Sequence, residues 1–215
     1  MALKNIIFDL GGVLLKIDYE RTAAAFVHLG FYSFEQAYSQ AKQNQLFDRF
    51  EKGEISTEEF CETIRILSNK PLMNEEIKKA WNAMILEFPA ARVDWLMAMK
   101  KHYRLFLLSN TNRIHVDAFT QLLDANFGIN MLESVFEKVY LSCDIGMRKP
   151  DAEIFEFVLN ENKLQKDETL FIDDSIQHIN GAKAIGLNAV LLEKEKEVES
   201  LFIDYTPKQS LDTVR

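Results

Sequence analysis

A short apolar run near the start of the chain, Asn5-Ile6-Ile7-Phe8-Asp9-Leu10, limits the possible folds more than any other feature. It is rich in β-branched residues and lacks the apolar–polar alternation of a half-exposed strand. We therefore predict a strand that is buried on both faces, as in a parallel sheet. Gly11-Gly12 follows and ends the run. Four later runs have the same character and are also predicted to be strands: 105–108, 139–141, 169–172 and 189–192.

Helical patterns separate the later runs. Apolar residues fall at helical spacing between Ile114 and Leu123, between Ile154 and Leu159, and between residues 176 and 185. Strands that alternate with helices predict βα units joined by right-handed crossovers, with helices on both faces of the sheet. The predicted fold class is therefore α/β, a doubly wound and mostly parallel sheet of the Rossmannoid type.

The stretch between the first and second predicted strands differs, because it contains helical patterns and no convincing strand. Residues 56–59, Ser-Thr-Glu-Glu, form a capping-box pattern, and Gly53 is a predicted C-cap of the helix before it. Asn74 is a predicted N-cap of a further helix. We predict an α/β core of residues 1–16 plus 89–215 and an inserted all-helical cap of residues 17–88.

Three of the predicted strands end in polar residues: Asp9, Ser109-Asn110 and Asp173-Asp174. In an open α/β sheet, ligands bind beyond the carboxyl ends of the strands, so these side chains are expected to converge. Carboxylates that lie close together repel one another unless a cation neutralises them. Oxygen ligands without cysteine select a hard metal, above all Mg²⁺. We predict a Mg²⁺ site, and the alternative is that these acids are helix caps and surface ion-pair partners.

Lys149-Pro150 follows the third predicted strand and precedes a predicted helix. By itself such a lysine is a surface residue at a helix start. Taken in order, Asp9, Ser109-Asn110, Arg148-Lys149-Pro150 and Asp173-Asp174 resemble the four motifs of the haloacid dehalogenase-like (HAD) hydrolase superfamily. The resemblance covers the chain from about residue 4 to residue 192, and the predicted helical insert lies where the type 1 cap of the superfamily lies. Residues 8–11, 108–113 and 144–150 look especially like the bacterial α-D-glucose-1-phosphate phosphatase branch.

This resemblance implies a Mg²⁺-dependent phosphatase that acts on a small phosphorylated metabolite, with a sugar 1-phosphate such as glucose 1-phosphate as the favoured substrate. Asp9 would attack phosphorus and form an aspartyl-phosphate. Mg²⁺ would be held by the Asp9 carboxylate, the Gly11 backbone carbonyl and Asp174. Asp173 would be a further ligand or would order a metal-bound water.

The same resemblance assigns the phosphate-binding groups. Ser109 and the Asn110 backbone amide would hold the phosphoryl oxygens, and Lys149 would offset the charge of carboxylate and phosphate. Asn112 and Arg113 follow this turn and are further candidates for binding substrate oxygens or phosphate. The alternative for both is a role at the start of a helix.

Gly11 is a departure from the pattern, because most phosphatases of the superfamily carry a second Asp at that position as general acid and base. Such catalysis is typically worth about 10²–10⁴ in rate. Three explanations are open. Another group such as Asp18 supplies the proton, or the leaving group needs less help from an acid, or turnover is slow. The hemiacetal hydroxyl of a sugar 1-phosphate is a leaving group of the second kind. Asp18 is also a predicted N-cap. Three other functions remain open: a non-catalytic protein that binds Mg²⁺ and phosphate, a metal-free 2-haloacid dehalogenase, and a phosphomutase.

The amino-acid composition limits the classes of partner that this chain is expected to bind. Lys and Arg number 25 against 33 Asp and Glu, and the net charge of −8 disfavours nucleic acids and anionic membranes. The two cysteines, Cys61 and Cys143, exclude a disulfide framework and favour a reducing cytosol. We expect a cytoplasmic monomer or weak homodimer without a signal peptide or membrane span. The charged run from Glu193 to Glu199 is predicted to be the solvated face of a helix.

Overall fold

Five parallel strands form the centre of the protein in a computed structural model that describes residues 2–36, 38 and 46–205. The strands pair in the order β3-β2-β1-β4-β5, so β1 is central. All five predicted strands are present, and their predicted ends differ from the observed ends by two residues at most. Their bounds are β1 (Asn5–Phe8), β2 (Arg104–Ser109), β3 (Lys138–Leu141), β4 (Thr169–Asp173) and β5 (Asn188–Leu191).

Helices cover both faces of this sheet, as predicted for a doubly wound fold. No helix in the described part of the chain is long and apolar enough to cross a membrane. Short 3-10 helices occur at Asn82–Met84, Lys166–Glu168 and Val198–Tyr205. Among the described residues, the α-helices used below are α1 (Tyr19–His28), α2 (Leu46–Glu51), α3 (Thr57–Ser68), α4 (Asn74–Trp81), α5 (Ala90–Met99), α6 (Arg113–Phe127), α7 (Met131–Val135), α8 (Ser142–Ile145), α9 (Ala152–Glu161) and α10 (Ile176–Ala184).

The central strand shows why the sheet needs both layers of helices. Ile6 and Phe8 pack into a hydrophobic cluster with residues of α5, α6 and α7, whereas Ile7 packs into a cluster with residues of α9 and α10 on the opposite face. All three side chains are fully buried. The continuous apolar run is therefore the sequence signal of a strand with no exposed face.

The helices that come after β1 and before α5, namely α1–α4 and the 3-10 helix Asn82–Met84, are called the helical insert below. They surround their own cluster of apolar side chains, in which Phe26, Phe60 and Ile77 are fully buried. The predicted capping box at α3 is present: the Ser56 side chain accepts from the Glu59 N–H at 3.2 Å, and Glu59 accepts from the Ser56 N–H at 2.7 Å. These bonds satisfy amide groups that the first turn of a helix leaves unpaired.

The predicted N-cap of α4 is wrong by one residue. Asn74 is the first residue of the helix, and Met73 occupies the capping position. The Glu76 side chain accepts from the Met73 N–H at 2.8 Å, so this end of the helix is satisfied without Asn74. The Asn74 side chain instead accepts a hydrogen bond from Arg65.

Two chain segments connect the helical insert to the sheet, and they lie side by side. The Lys16 N–H donates to the Glu87 carbonyl at 2.9 Å, and the Leu86 N–H donates to the Lys16 carbonyl at 3.0 Å. One step further into the insert, the Asp18 N–H donates to the Met84 carbonyl at 2.9 Å. The outgoing and returning chains are thus joined by backbone hydrogen bonds where the insert begins and ends.

The charged run near the C-terminus does not form the predicted helix face. Residues 193–197 lie outside any helix, and a 3-10 helix begins only at Val198. Two of its acids instead bind Arg92, a buried arginine of α5 that forms ion pairs with Glu197 and Glu199. These carboxylates face the protein and not the solvent alone.

Candidate active site

The carboxyl ends of β1, β2 and β4 bring together Asp9, Ser109 and Asp173. In the parallel register Phe8 lies opposite Ile172, and the Asp9 N–H donates to the Ile172 carbonyl at 2.9 Å. Asp9 and Ser109 are nearly inaccessible, at 7% and 4% exposed, and Asp173 is fully buried. The strand ends thus hold polar side chains at the one edge of the sheet where an α/β fold binds ligands.

Lys149 lies at the centre of this group and is fully buried. Its ammonium donates to Asp9 Oδ1 at 2.8 Å, to Asp173 Oδ2 at 2.6 Å and to the Leu108 carbonyl at 2.9 Å. All three of its donors are therefore satisfied. Burial opposes the charge of Lys149, but Asp9 and Asp173 outweigh burial and raise its pKa above the ordinary value. The side chain is a protonated cation that joins two strand ends.

The acids outnumber this cation. Carboxylate oxygens of Asp9, Asp173 and Asp174 lie within 4.8 Å of one another. Burial, reinforced by the other two carboxylates and opposed by Lys149, raises the pKa of Asp9. Burial and Asp173 likewise raise the pKa of Asp174. Ionisation of all three carboxylates beside one ammonium would leave two negative charges in excess, and an all-oxygen set of this kind fits a hard divalent cation.

The three carboxylates differ in how far they are already engaged. Asp173 Oδ1 accepts from the Ser175 N–H at 2.8 Å and lies 2.9 Å from His178 Nδ1, while its Oδ2 accepts from Lys149. Burial would raise the pKa of Asp173, but Lys149 and His178 outweigh burial and lower it. Both oxygens of Asp173 thus serve to organise the site, whereas Asp174 is exposed to the cavity.

Gly12 makes room for Asp174. Its φ of +77° is in the left-handed region that favours glycine. A Cβ at this position would lie 2.1 Å from Asp174 Oδ2 and 2.6 Å from its Cγ, far inside van der Waals contact. From the sequence, Gly12 is expected only to help end the first strand, and its contact with Asp174 has no sequence signal.

A cavity of about 550 Å³ lies over the strand ends. Its insert side includes Asp48 and Glu51, and both acids pair with Arg148 of the core. Arg148 Nη1 lies 3.0 Å from Asp48 Oδ1, and Arg148 Nε donates to Glu51 Oε2 at 3.0 Å. Burial raises the pKa of Glu51 against the opposing effect of Arg148. This ion-pair network joins the helical insert to the residue that immediately precedes Lys149.

The remaining predicted residues divide into two groups. Gly11, Ser109 and Asn110 line the cavity. The Asn110 side chain also exchanges two hydrogen bonds with the Lys149 backbone, at 2.8 and 2.9 Å, and so holds that lysine in place.

Asn112 and Arg113 are not among the described residues that line the cavity. Asn112 Oδ1 accepts from the His115 N–H at 3.1 Å and caps α6, and Arg113 pairs with Asp144. Both are engaged at a helix start, the alternative considered from the sequence, and their substrate-binding role stays a prediction. The predicted N-cap at Asp18 is present, since Asp18 Oδ1 accepts from the Glu20 N–H at 3.0 Å.

Comparison with known proteins decides the family. The sequence profile of haloacid dehalogenase-like hydrolases matches residues 3–186, which is most of the chain. The chain belongs to the haloacid dehalogenase-like hydrolase family. This confirms the superfamily that the four motifs indicated.

Relatives of this HAD-like hydrolase extend the comparison. D-ribitol-5-phosphate phosphatase of Bacteroides thetaiotaomicron is 33% identical over 184 residues, which cover 86% of this chain and 89% of the relative. A crystal structure of a HAD family enzyme from the same organism, in complex with magnesium and inorganic phosphate, is 33% identical and has a TM-score of 0.86 over 94% of this chain and 100% of that chain. A predicted HAD-like hydrolase from Porphyromonas gingivalis is 30% identical and has a TM-score of 0.83 over 94% and 97%.

Proposed function

We propose that this HAD-like hydrolase is a Mg²⁺-dependent phosphatase that acts on a small phosphorylated sugar or polyol through an aspartyl-phosphate on Asp9. The charge balance at the strand ends carries the proposal. Asp9 and Asp173 share the buried ammonium of Lys149, Asp174 lies beside them, and a divalent cation would offset the remaining charge. The crystal structure of the Bacteroides HAD family enzyme in complex with magnesium and inorganic phosphate supports the same interpretation.

Each group at the strand ends has a distinct proposed role. When bound, Mg²⁺ supplies the positive charge that allows a phosphate to approach the carboxylates. Asp9, Asp174 and the Gly11 carbonyl are its proposed ligands, and Asp173 orders the site. Asp9 attacks phosphorus, its new P–O bond replaces the bond to the leaving oxygen, and water then hydrolyses the acyl phosphate. Lys149 holds Asp9 in place and stays protonated throughout.

The phosphoryl group is held by donors at the end of β2. Ser109 ends that strand and Asn110 follows it, and both line the cavity that contains Asp9. A hydroxyl and a backbone N–H at this position donate to phosphoryl oxygens whose negative charge grows during the transfer. Asn110 uses its side chain on Lys149, which leaves its role toward the substrate to the backbone.

The insert side of the cavity supports a hydroxyl-rich leaving group. The carboxylate oxygens of Asp48 and Glu51 that Arg148 does not occupy would accept hydrogen bonds from substrate hydroxyls. We propose that residues 17–88 form a cap over a catalytic core of residues 1–16 and 89–215, so that closure places the leaving group and excludes water.

Two substrate classes fit this cavity. A sugar 1-phosphate is favoured because Gly11 supplies no carboxylic acid, and a hemiacetal hydroxyl leaves with less proton assistance than an ordinary alcohol. Asp18 caps α1 and is not among the described residues that line the cavity, so nothing in the geometry supports it as the missing acid. A polyol phosphate is the second candidate, supported by the 33% identical D-ribitol-5-phosphate phosphatase.

Phosphate release from a panel of sugar 1-phosphates, sugar 6-phosphates, polyol phosphates and an aryl phosphate tests the proposal, with Mg²⁺ and with EDTA. We expect turnover that requires Mg²⁺, favours sugar 1-phosphates and is lost in Asp9→Asn. Asp94→Asn, which changes an exposed carboxylate on α5, is the matched control and should retain wild-type activity.

The other outcomes separate the alternatives. A preference for polyol phosphates would replace the sugar 1-phosphate with the second candidate. Halide release from a 2-haloacid in EDTA, without phosphate release, would favour a dehalogenase, and transfer of phosphate between positions of one sugar would favour a mutase. Binding of Mg²⁺ and phosphate without hydrolysis of any substrate would show that the loss of the acid at Gly11 has left a binding protein.

A further inference from the structure

Arg92 is a buried arginine that neither the cavity nor the sequence motifs include. It lies in the first turn of α5 and is 2% exposed. Its Nη1 donates to the Val13 carbonyl at 3.0 Å and to the Leu14 carbonyl at 2.8 Å. Its Nε donates to Glu199 Oε1 at 2.8 Å, and its Nη2 donates to Glu199 and to Glu197. One guanidinium thus binds two backbone carbonyls and two carboxylates.

The two carbonyls belong to the turn that follows the candidate nucleophile. In this turn, residues 10–15, the Gly12 N–H donates to the Leu15 carbonyl at 2.9 Å and the Leu14 N–H donates to the Leu10 carbonyl at 2.8 Å. The turn carries Gly11, the proposed carbonyl ligand. It also carries Gly12, whose missing Cβ makes room for Asp174. A shift of the turn would therefore displace two of the proposed Mg²⁺ ligands together.

The two carboxylates come from the end of the described chain. Glu197 and Glu199 follow β5 and lie in a segment whose only evident sequence property is its charge. They fix the plane of the guanidinium, because Glu199 accepts from Nε and Nη2 and Glu197 accepts from Nη2. A lysine carries the same charge but lacks the planar fork, so it cannot bind these two carbonyls and two carboxylates at once.

We propose that Arg92, held by Glu197 and Glu199, is a positioning residue that fixes the turn of residues 10–15 for Mg²⁺ binding. The segment after β5 is then part of the framework of the metal site. This inference rests on the proposed function in one respect, namely that the strand ends bind Mg²⁺.

Mg²⁺ affinity of the substrate-free protein is the quantity to measure, by titration calorimetry and by the Mg²⁺-induced shift of the melting temperature. Arg92→Lys should raise the Mg²⁺ dissociation constant by about 10- to 100-fold, the range found when the partners of metal ligands are disturbed. The Mg²⁺ concentration that gives half the maximal rate of phosphate release should rise by the same factor as the dissociation constant. At saturating Mg²⁺, KM for the substrate should change less than about twofold.

Arg104→Lys is the matched control. Arg104 also pairs with a glutamate, Glu137, and also donates to a backbone carbonyl, that of Asn162, but it lies at the start of β2. It should lower the melting temperature without changing Mg²⁺ affinity. Glu199→Gln is the milder variant if Arg92→Lys does not fold, and it should weaken Mg²⁺ binding by a smaller factor.

A lowered melting temperature in Arg92→Lys with wild-type Mg²⁺ affinity would overturn the proposal, because Arg92 would then serve stability alone. The same holds for Glu199→Gln if it is the variant measured. Asp174→Asn separates this failure from a failure of the proposed function. If that variant too binds Mg²⁺ like the wild type, the metal site itself is wrongly placed and the positioning role falls with it.

Discussion

Replacement of Gly12 by alanine tests the link between the turn after β1 and the metal site. The added Cβ would lie 2.1 Å from Asp174 Oδ2, so one of the two groups must move. The Asp174 carboxylate is at the end of an exposed side chain and can rotate. The Gly12 backbone cannot move as easily, because its N–H donates to the Leu15 carbonyl. We therefore expect Asp174 to rotate away and the turn to stay.

The magnitudes follow from this geometry. An alanine at a φ of +77° costs about 1–2 kcal/mol in backbone strain. In a chain of this size that lowers the melting temperature by roughly 2–8 °C. Rotation of Asp174 adds little to this cost, because its carboxylate moves into solvent. The loss of Asp174 from its proposed position should instead weaken Mg²⁺ binding by about 10- to 100-fold.

Gly186→Ala provides the matched control. Gly186 also has a positive φ, +83°, but a Cβ there would meet nothing within 4 Å. Differential scanning fluorimetry in EDTA should show similar destabilisation of both variants. Titration with Mg²⁺ should then raise the melting temperature of Gly186→Ala as in the wild type, and that of Gly12→Ala only at much higher concentration.

Equal Mg²⁺ affinity in the two variants would refute this reasoning. Gly12 would then be needed for its backbone conformation alone, and Asp174 would not need its observed position to bind Mg²⁺. A much larger loss of stability in Gly12→Ala than in Gly186→Ala would show that Asp174 resists displacement.

Three further predictions concern stability. Lys149→Met should lower the free energy of unfolding by about 3–5 kcal/mol in denaturant titrations, because it leaves Asp9 and Asp173 buried without their cation; an unchanged midpoint would contradict the ion-pair geometry. Burial lowers the pKa of His115 to about 3 from 6.5, so the unfolded chain takes up the proton first. The free energy of unfolding should therefore fall between about pH 6.5 and pH 3, by at most about 1.4 kcal/mol per pH unit for this group, and less steeply in His115→Gln. Ser56→Ala removes the capping box of α3 and should lower the free energy of unfolding by about 1 kcal/mol. Its Mg²⁺ affinity should equal that of the wild type.

The sheet and most of the candidate site could be predicted from the sequence because both depend on local patterns. Apolar runs mark strands buried on two faces, and parallel strands end at one edge of the sheet. Asp9, Ser109 and Asp173 therefore had to converge once the strands were assigned. Lys149 could be added because it belongs to an ordered set of motifs, although its complete burial between two carboxylates has no local signal.

Long-range contacts could not be predicted in this way. Arg92 lies 79 residues from Val13 and 107 residues from Glu199 along the chain, and no periodicity connects them. The charged run at 193–199 predicts a helix face because its composition is that of an exposed helix, and composition does not reveal its contact with Arg92. The contact between His178 and Asp173 is more local, since His178 lies on α10 only five residues after Asp173. The position of its imidazole nevertheless depends on the direction of the helix that follows β4.

The paired segments at residues 16–18 and 84–87 bring together the two places where the chain enters and leaves the helical insert. Since hydrogen bonds already hold its two ends together, a shorter or longer insertion would change the closure entropy slowly, by about 0.6 kcal/mol per doubling of length. The register of β1 against its neighbours would be untouched. Exchange of the whole insert is therefore a route by which descendants of this chain can acquire a new leaving-group preference while the groups at the strand ends stay as they are.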